Sequence, residues 1–504
     1  MNDRALLIRQ ARVLDLDANP HTPATVDILV LGDTIAAVGD DLRQSSPAQA
    51  DIIEATGLLA IPGLVNAHYH SHDALLKGAF DTSSLERWAL NALPRSYPPR
   101  SDRELRARTL IGAAECLRGG ITTVQDMLSL WPLTRHQARV VRDAYEETGL
   151  RVVLGLQTAD VGPLDTVPFW RELIPAGMVS LLGDPAPVEA NEPVAEIDAI
   201  LSDMPNRREG RIAWAVCPSS PERCSQDLLL RLVAVARRHG VRLFSHVAIS
   251  RAEALGAQRI FAAFEGSPIV YLDQLDVLGP DLTLAHGVWL DDPDCALIAR
   301  SGTRLVLNPM SNLKTKNGIA SFRRYHEAGV YPALGCDNCS CSDAQNMFQA
   351  MKIATLVSAV TDHREGGPTA RDALMAATAH GARALGLEQS IGTIRPGYKA
   401  DITLLDLNDP VFRPLNSAAR QLVYGESGRS VTSVIVDGRI VMRDRRLLTI
   451  DEEALAREID AVMPAFARDA AAVQARTELL SPFIAEADRR IWAADVHLSR
   501  FACG

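Results

Sequence analysis

The chain has 504 residues, of which 47% are hydrophobic and 23% are charged, and its formal net charge is −10 at pH 7. This composition is typical of a globular protein, and an acidic chain without a lysine or arginine run is expected to bind neither nucleic acid nor an anionic membrane. It has no secretory signal, no membrane-spanning run and no disulfide-like cysteine pattern, so we predict a cytoplasmic protein with reduced thiols.

The two ends of the chain carry matching strand and turn patterns. In residues 1–58, short apolar runs alternate with turns such as Gly32-Asp33, and in residues 398–450 a similar set surrounds Asp437-Gly438. Such pairs between apolar runs are typical of β-hairpins. We therefore predict one small β-sandwich domain built from both ends.

Residues 59–397 alternate apolar strands with amphipathic segments such as 102–118, 226–238 and 343–360. Eight strand–helix units in succession predict an α/β protein with a (β/α)8 TIM barrel. Residues 451–504 are rich in Ala, Glu and Arg and predict C-terminal helices packed outside the barrel. The barrel strands are expected to begin at Leu59, Ile121, Arg151, Ile212, Val241, Leu282, Thr303 and Val330.

Ligand-type residues stand at the ends of four predicted strands. His68 and His70 end the first strand, and their i, i+2 spacing points both side chains to the same face. His246 follows the fifth strand, His286 the sixth and Asp337 the eighth. In this fold the C-terminal strand ends meet at one rim, where active sites lie.

The residue types at this rim favour a metal site. Any single histidine of the set is more often a hydrogen-bonded core or surface residue. Imidazoles and a carboxylate that recur at strand ends, however, are ligands that zinc and its neighbours in the first transition row prefer. The set therefore predicts one metal ion with room for a water molecule.

Six motifs carry a resemblance to a known family. The chain resembles the amidohydrolase superfamily, and within it the branch of triazine hydrolases and guanine and cytosine deaminases. The motifs occupy residues 62–70, 75–78, 286–290, 308–314, 335–337 and 392–401.

This resemblance implies both a metal set and catalytic roles. His68, His70, His246 and Asp337 would bind one divalent metal ion, with Zn²⁺ expected and Fe²⁺, Co²⁺ or Mn²⁺ as alternatives. Asp337 would also carry the proton of the attacking water, and His286 would stand beside the reacting oxygen. The resemblance further implies a homo-oligomer, a dimer or larger.

One position departs from the pattern of the branch. Its deaminases carry a glutamate three residues after the fifth-strand histidine, where this chain has Ile249. Because an isoleucine cannot move a proton, we expect hydrolysis of a C–N bond in a small amide, urea or carbamate. The alternative is a hydrolytic deaminase or dehalogenase of a nitrogen heterocycle of triazine, purine, pterin or pyrimidine type, with Glu222, Glu253 or His72 replacing the glutamate. A second alternative is a non-catalytic barrel scaffold.

Substrate contacts are expected from aromatic and polar residues on the rim loops. His72 and Asp73 are interpreted mainly as solvated loop residues, although His72 becomes a substrate contact if it faces the cavity. The cysteines in the 336–341 loop are expected to fill a tight turn rather than to bind metal. The candidate substrate-binding residues are Trp88, Trp289, Asn338, His72 and Ser342.

Overall fold

The computed structural model describes residues 4–183, 191–206, 210–361 and 364–501. In these ranges two nine-stranded sheets form the framework. The strands are β1 Ala5–Val13, β2 Ala24–Leu31, β3 Thr34–Gly39, β4 Asp51–Glu54, β5 Leu58–Pro62, β6 Leu64–His70, β7 Ile121–Leu128, β8 Arg151–Thr158, β9 Ile212–Pro218, β10 Leu243–Val247, β11 Leu282–His286, β12 Arg304–Leu307, β13 Ala333–Leu334, β14 Asp337–Asn338, β15 Ile402–Asp406, β16 Val431–Val436, β17 Arg439–Arg443 and β18 Arg446–Leu447.

Helices cover the outside of the barrel and its rim. No helix within the described ranges is long and apolar enough to cross a membrane. The α-helices are α1 Leu85–Ala92, α2 Asp102–Arg118, α3 Arg135–Thr148, α4 Pro163–Thr166, α5 Trp170–Leu173, α6 Asn191–Asp203, α7 Gln226–His239, α8 Arg251–Ile260, α9 Pro268–Gln274, α10 Asp292–Ser301, α11 Pro309–Lys314, α12 Phe322–Glu327, α13 Cys339–Ser342, α14 Met347–Ala359, α15 Ala370–Ala376, α16 Ala379–Ala384, α17 Ala418–Tyr424, α18 Glu452–Glu478 and α19 Ser481–Ala493.

The segments β6 to β14 form the predicted parallel barrel. Neighbours along the chain pair in parallel from β6 through β13. The eighth strand is in two pieces: β13 pairs with β12, and β14 pairs with β6 so that Asp337 lies opposite Tyr69 and Asn338 opposite His70. This split strand closes the barrel and brings Asp337 beside the two histidines of β6.

Strands from both chain ends share the second sheet, as predicted. Its order is β18-β17-β16-β15-β5-β1-β2-β3, with β4 paired to β1. The junction between the ends is the antiparallel pair of β15 and β5, which sets Thr403 opposite Ile61. The two long terminal helices α18 and α19 fall in the predicted C-terminal segment.

The prediction that the first barrel strand begins at Leu59 was wrong. Residues Leu58–Pro62 form β5 of the smaller sheet, and the barrel strand begins at Leu64. Nearly the whole run from 58 to 70 is buried, so its hydrophobicity contains no signal for the change of sheet. The break falls at Gly63, where an added Cβ would meet Thr122 at 2.2 Å.

Local capping explains why two predicted helices begin where they do. The Ser101 side chain accepts the amide of Glu104 at the start of α2, and Ser225 accepts the amide of Leu228 at the start of α7. Such caps satisfy amide groups that the helix itself leaves unpaired. Gly240, with φ of +62°, ends α7 in the left-handed conformation that glycine adopts readily.

Candidate metal centre

The predicted ligand-type residues lie on four barrel strands and meet at one point of the rim. His68 and His70 lie on β6, His246 on β10, His286 at the end of β11, and Asp337 on β14. Each is at most 3% exposed except for His246, which is partly exposed. The barrel therefore holds these polar side chains largely away from water.

The ligand atoms of these residues converge. The Nε2 atoms of His68 and His70 lie 3.3 and 3.5 Å from Oδ1 of Asp337. His246 Nε2 is 3.3 Å from His70 Nε2, and His286 Nε2 is 3.7 Å from Asp337 Oδ2. Within the described residues, His68, His70 and His246 form one group that could hold a metal ion, and His68, His286 and Asp337 form another.

Hydrogen bonds on the far side of two rings decide which nitrogen faces inward. His70 Nδ1 lies 2.7 Å from the carbonyl oxygen of Met127, and His246 Nδ1 lies 2.6 Å from that of Ser219. A carbonyl oxygen can only accept, so each Nδ1 carries the proton and each neutral ring presents a lone pair at Nε2. Such outer partners are typical of metal-binding histidines.

Burial keeps these rings neutral. Burial and the neighbouring His68 lower the pKa of His70 to about 3, and burial with His70 and His286 lowers that of His246 to about 3. Two lone pairs that face each other across 3.3 Å repel unless a cation lies between them. The donor set therefore fits a divalent metal ion with nitrogen and carboxylate ligands.

Asp337 is the anionic member of the cluster. Burial by itself raises the pKa of this carboxyl, but the surrounding His286, His68 and His70 outweigh burial and hold the pKa well below its usual range. Ser311 donates its hydroxyl to Oδ2 at 2.5 Å. Asp337 is thus ionised at neutral pH and able to accept a proton.

The backbone at the site is strained in three places. Ala248, His286 and Asp337 have φ of +47°, +78° and +64°, a region that L-residues with a Cβ rarely adopt. Gly335 lies so close to His68 that an added Cβ would approach the His68 Cβ to 2.8 Å. Strained conformations of this kind concentrate at functional sites.

Asn312 orients His286, and sequence reasoning missed this role. His286 Nδ1 lies 2.8 Å from Asn312 Oδ1, so Nε2 faces the cluster. Asn312 and Ser311 both belong to the 308–314 motif after β12, which carried the family resemblance but had no residue roles attached to it. Their position after a barrel strand was the available signal.

The interpretation of His72 and Asp73 as solvated loop residues was wrong. His72 is 6% exposed, its ring centroid is 5.3 Å from that of His70, and neither ring nitrogen has a hydrogen-bond partner among the described residues. Asp73 is fully buried and accepts the amides of Cys339 and Ser340, both at 2.9 Å. It anchors the loop that follows Asp337.

The two tryptophans predicted to contact substrate are buried by the protein itself. Trp88 donates its indole N–H to Ser340 at 2.8 Å, and Trp289 donates to the carbonyl oxygen of Asn317 at 2.7 Å. Asn338 is 6% exposed and donates its amide to Asp337 Oδ1 at 3.2 Å. Ser342 donates to the carbonyl oxygen of Asn338. Direct substrate contact by these four residues stays a prediction.

The cysteines of the loop after Gly335 lie in a tightly packed environment. Cys336, Cys339 and Cys341 are buried, and burial raises the pKa of all three thiols. Cys336 Sγ lies 3.6 Å from the sulfur of Met347. Thiols in this state pack as small apolar groups.

Glu253 lies in the first turn of α8, directly after the loop that departs from the family pattern. Ile249 is 7% exposed, and its backbone N–H donates to Glu253 Oε2 at 2.6 Å. Burial and the neighbouring Glu222 raise the pKa of Glu253 well above its usual range. A buried carboxyl group with a raised pKa is therefore held at the backbone of the residue where the branch carries its glutamate.

Comparison with known families agrees with this geometry. A model of the amidohydrolase family matches residues 59–441, which is most of the chain. The chain belongs to the amidohydrolase family. As a member, it is a hydrolase that acts on carbon–nitrogen bonds, which disfavours the non-catalytic scaffold.

Similar proteins include two deaminases. A 5'-deoxyadenosine deaminase of Methanothermobacter thermautotrophicus is 32% identical over 454 residues, which cover 90% of this chain and 96% of the relative. A 5-methylthioadenosine/S-adenosylhomocysteine deaminase of Thermococcus onnurineus is 32% identical over 421 residues, which cover 84% of this chain and 90% of the relative. The likeness therefore extends across nearly the full length of both relatives.

Solved structures share the fold. An adenosine deaminase of Xanthomonas campestris with bound zinc superposes with a TM-score of 0.79 at 24% identity, covering 93% of this chain and 100% of the other. An atrazine chlorohydrolase of Arthrobacter aurescens with zinc superposes with a TM-score of 0.78 at 21% identity, covering 91% of this chain and 100% of the other. These comparisons confirm the predicted amidohydrolase barrel.

Proposed function

We propose that this amidohydrolase is a metal-dependent hydrolytic deaminase of a small nitrogen heterocycle. In such a reaction an oxygen atom from water replaces a ring amino group, and ammonia leaves. The observation that carries the proposal is the Glu253 carboxyl held by the backbone N–H of Ile249. The deaminase names of the full-length relatives support it.

Two proton-carrying groups are needed for this chemistry. When bound, a divalent metal supplies an activated water near neutral pH. The ionised Asp337 carboxylate would accept the proton of that water. Attack on an aromatic amidine carbon also needs a proton on the ring nitrogen. Glu253, protonated because burial and Glu222 raise its pKa, would provide it.

The remaining residues of the centre have supporting roles in this proposal. His68, His70, His246 and Asp337 would hold the metal, with Zn²⁺ as the expected ion. His286, oriented by Asn312, would stabilise charge on the substrate oxygen as it forms.

Hydrolysis of an acyclic amide, urea or carbamate is the second candidate. Ile249 favours it, because that position offers no side-chain proton carrier. In this reaction charge develops on a carbonyl oxygen that the metal and His286 can stabilise, so that one carboxylate suffices.

The two candidates differ in their products. We would incubate the zinc-loaded enzyme with aminated purine nucleosides, pterins, pyrimidines and triazines, and with ureas, amides and carbamates, and identify products by mass spectrometry. A heterocycle that exchanges an amino group for oxygen with its ring intact supports the deaminase. A substrate split into an amine and an acid, or an amine and carbon dioxide, supports the second candidate.

A variant tests the proton carrier directly. In the deaminase, Glu253→Gln should lower kcat by about 10²-fold or more, because a general acid contributes on that order. Glu147→Gln on the exposed outer face of α3 is the matched control and should be unaffected. A kcat unchanged in Glu253→Gln would contradict the role of Glu253.

Three structural assignments are also part of the proposal. The catalytic domain would span the predicted residues 59–397 without β5, since Leu58–Pro62 pair within the smaller sheet. The second domain would comprise residues 1–58 with 398–450, and the helical extension residues 451–504. A homo-oligomer and a cytoplasmic location stay predictions. Light scattering of the purified enzyme tests the oligomeric state, and fractionation of the source cells tests the location.

A further inference from the structure

Three polar side chains form a hydrogen-bonded bridge between neighbouring barrel strands beside the metal centre. Ser129 directly follows β7, Gln157 lies near the end of β8, and Ser219 directly follows β9. The Ser129 hydroxyl donates to Gln157 Oε1, and Gln157 Nε2 donates to Ser219 Oγ at 3.0 Å. We call these three residues the amide bridge, because the two polar atoms of one amide group bind a strand end on either side.

The amide bridge lies at the end of the barrel that carries the metal centre. Met127 of β7 and Cys217 of β9 belong to a buried cluster to which β6 to β10, β12 and β13 contribute, so this cluster fills the barrel interior. Ser129 and Ser219 lie two residues beyond them, and side chains two apart along a strand point to the same face. Gln157 lies on the strand between them and pairs with Cys217. The bridge therefore follows the interior cluster at the C-terminal strand ends.

Ser219 is the main-chain partner of one predicted metal ligand. Its carbonyl oxygen accepts the amide of His246 at 3.0 Å and the ring N–H of His246 at 2.6 Å from Nδ1. Its own amide donates to the carbonyl oxygen of Thr158 at 2.9 Å, and its hydroxyl accepts from Gln157. The main chain and Gln157 thus restrain Ser219 together. If Ser219 moved, the acceptor that orients the His246 ring would move with it.

The other end of the amide bridge lies close to the acceptor of His70. The Met127 carbonyl oxygen lies 2.7 Å from His70 Nδ1, and Ser129 is two residues further along the chain. The Nε2 atoms of His70 and His246 are 3.3 Å apart. One amide group therefore links the two chain segments that orient these facing rings.

Burial does not account for the hydrogen bonds of the amide bridge. All three of its residues are partly exposed, and they line one cavity that opens to solvent. A polar side chain that water can reach loses little free energy without a protein partner, whereas a buried one needs a hydrogen bond. The bonds of Gln157 are therefore explained by the segments they hold rather than by its own solvation.

We infer that Gln157 is a positioning residue of the metal centre: by linking Ser219 to Ser129 it fixes the carbonyl oxygens that orient His246 and His70, and it thereby raises the affinity of the site for a divalent metal ion. The inference rests on the ligand set of the proposed function, and not on which C–N bond is cleaved. Substitution of groups that orient metal ligands typically lowers metal affinity by about 10–100-fold. Gln157 acts one hydrogen bond further out, so we expect the lower end of this range.

The zinc affinities of two Gln157 variants separate hydrogen bonding from packing. Gln157→Met keeps the length of the side chain but removes both polar atoms, and it should raise the Kd for Zn²⁺ by about tenfold. Gln157→Glu keeps acceptors for both serine hydroxyls and should stay within about threefold of the wild type. The Kd is measured on metal-free enzyme by competition with a chromophoric zinc chelator. An unchanged Kd in Gln157→Met, or equal weakening in both variants, would overturn the inference.

Matched controls come from a glutamine far from the barrel rim. Gln474 lies exposed on α18, and the structure gives its side chain no hydrogen bond among the described residues. Gln474→Met and Gln474→Glu make the same chemical changes and should bind zinc like the wild type. A weakening in Gln474→Met as large as that in Gln157→Met would contradict a specific role for Gln157.

Ser219→Ala tests the route through which Gln157 acts. It removes the hydroxyl that binds Gln157 but keeps the carbonyl oxygen that binds His246, so its Kd for Zn²⁺ should rise by a similar factor. Because both changes break the same hydrogen bond, the double variant should bind zinc no more weakly than Gln157→Met alone. Losses that multiply in the double variant would contradict the bridge. If Gln157→Met does not fold, the Kd of Ser219→Ala decides the inference by itself.

The visible absorption of the Co²⁺-loaded enzyme reports ligand geometry without turnover. In Gln157→Met the bands should shift relative to the wild type, since the His246 ring is no longer held in one orientation, and in Gln157→Glu they should not. A variant that is merely less stable would have a lower melting temperature with unchanged bands. Superimposable spectra of Gln157→Met and the wild type would overturn the inference.

The same measurements separate this inference from the proposed function. If the wild-type enzyme binds no zinc, the metal centre is wrong and the inference fails with it. If the wild type binds zinc and Gln157→Met binds it equally well, the bridge alone is wrong. If the product assay finds urea or amide cleavage while the Gln157 variants behave as expected, deamination is wrong and the positioning role stands.

Discussion

At the scale of single residues, the site depends on which nitrogen of each ring is free. His70 and His246 both bind a main-chain carbonyl through Nδ1, and burial keeps both rings neutral. Their inward-facing lone pairs need a cation, and the ionised Asp337 adds the negative charge that holds a divalent one. Removing a single member should therefore change metal binding as well as turnover.

His70→Ala should lose the metal. The substitution removes one of three converging imidazoles, and metal content measured by mass spectrometry after dialysis should fall to a small fraction of one ion per chain. His136→Ala removes an exposed histidine paired with Asp102 and should keep the wild-type content. Full metal content and full turnover in His70→Ala would contradict the assignment of the metal site.

Asp337→Asn should abolish most of the activity. An amide cannot accept a proton, so kcat should fall by about 10³-fold or more. Asp343→Asn, in the same loop but bound to Lys314 at the surface, is the control and should stay near the wild-type rate. A loss of only about tenfold in Asp337→Asn would refute a role for it in proton transfer.

At the scale of elements, the C-terminal segment forms hydrogen bonds with two loops of the rim. Arg500 donates to the carbonyl oxygens of Val288 and Leu290 at 2.8 and 2.5 Å, and its own carbonyl oxygen accepts the amide of Ile319 at 2.7 Å. The first loop begins at the strained His286, and the second follows Asn312, which orients His286. The end of the chain thus supports the geometry of one site residue.

Arg500→Ala should loosen the loop after β11. Two charge-assisted hydrogen bonds are lost, so we expect the free energy of unfolding to fall by about 2–4 kcal/mol. Hydrogen exchange should accelerate at the amides of Gly287 and Trp289, which donate to Val247 and Ala248. Arg489→Ala, at an exposed pair with Glu486, should change neither quantity. Unchanged exchange at both amides would show that the tail does not support this loop.

At the scale of the whole molecule, a buried ion pair joins the barrel to the smaller sheet. Arg151 at the start of β8 donates to Asp401 at 2.9 Å and to Asp437 at 2.8 Å, and these three side chains are at most 17% exposed. Asp401 also accepts the amide of Asp437. Breaking such a pair leaves a buried charge unpaired. The resulting loss in the free energy of unfolding is larger than the contribution of an exposed ion pair.

Asp401→Ala should destabilise the entire enzyme. We expect the free energy of unfolding to fall by about 3–5 kcal/mol, because the Arg151 guanidinium is left buried without its main partner. Denaturant unfolding followed by fluorescence and circular dichroism measures this loss. Asp51→Ala, at the exposed pair with Arg443, should cost less than about 1 kcal/mol. If the free energy of unfolding fell as little in Asp401→Ala as in Asp51→Ala, the ion pair would not couple the two sheets.

Much of the architecture was predictable because its signals are local. Alternating strands and amphipathic helices repeat along residues 59–397, and caps such as Ser101 and Ser225 lie next to the helices they begin. The change of sheet at Gly63 was not predictable, because both halves of that apolar run are buried. His72 and Asp73 were misjudged because burial depends on segments distant in sequence, such as the backbone at Cys339 and Ser340 that Asp73 binds.

The sequence by itself determined the amidohydrolase family, the barrel and the residue types at its strand ends. Periodicity and residue spacing encode these features directly. Only the tertiary structure decided that the His70 and His246 lone pairs face each other, that Asn312 orients His286, and that Glu253 lies at the backbone of Ile249. The first two relations join residues on different strands and loops, and closure of the barrel sets their distances. The third joins residues four apart at the start of α8, and the burial of that turn gives it its significance.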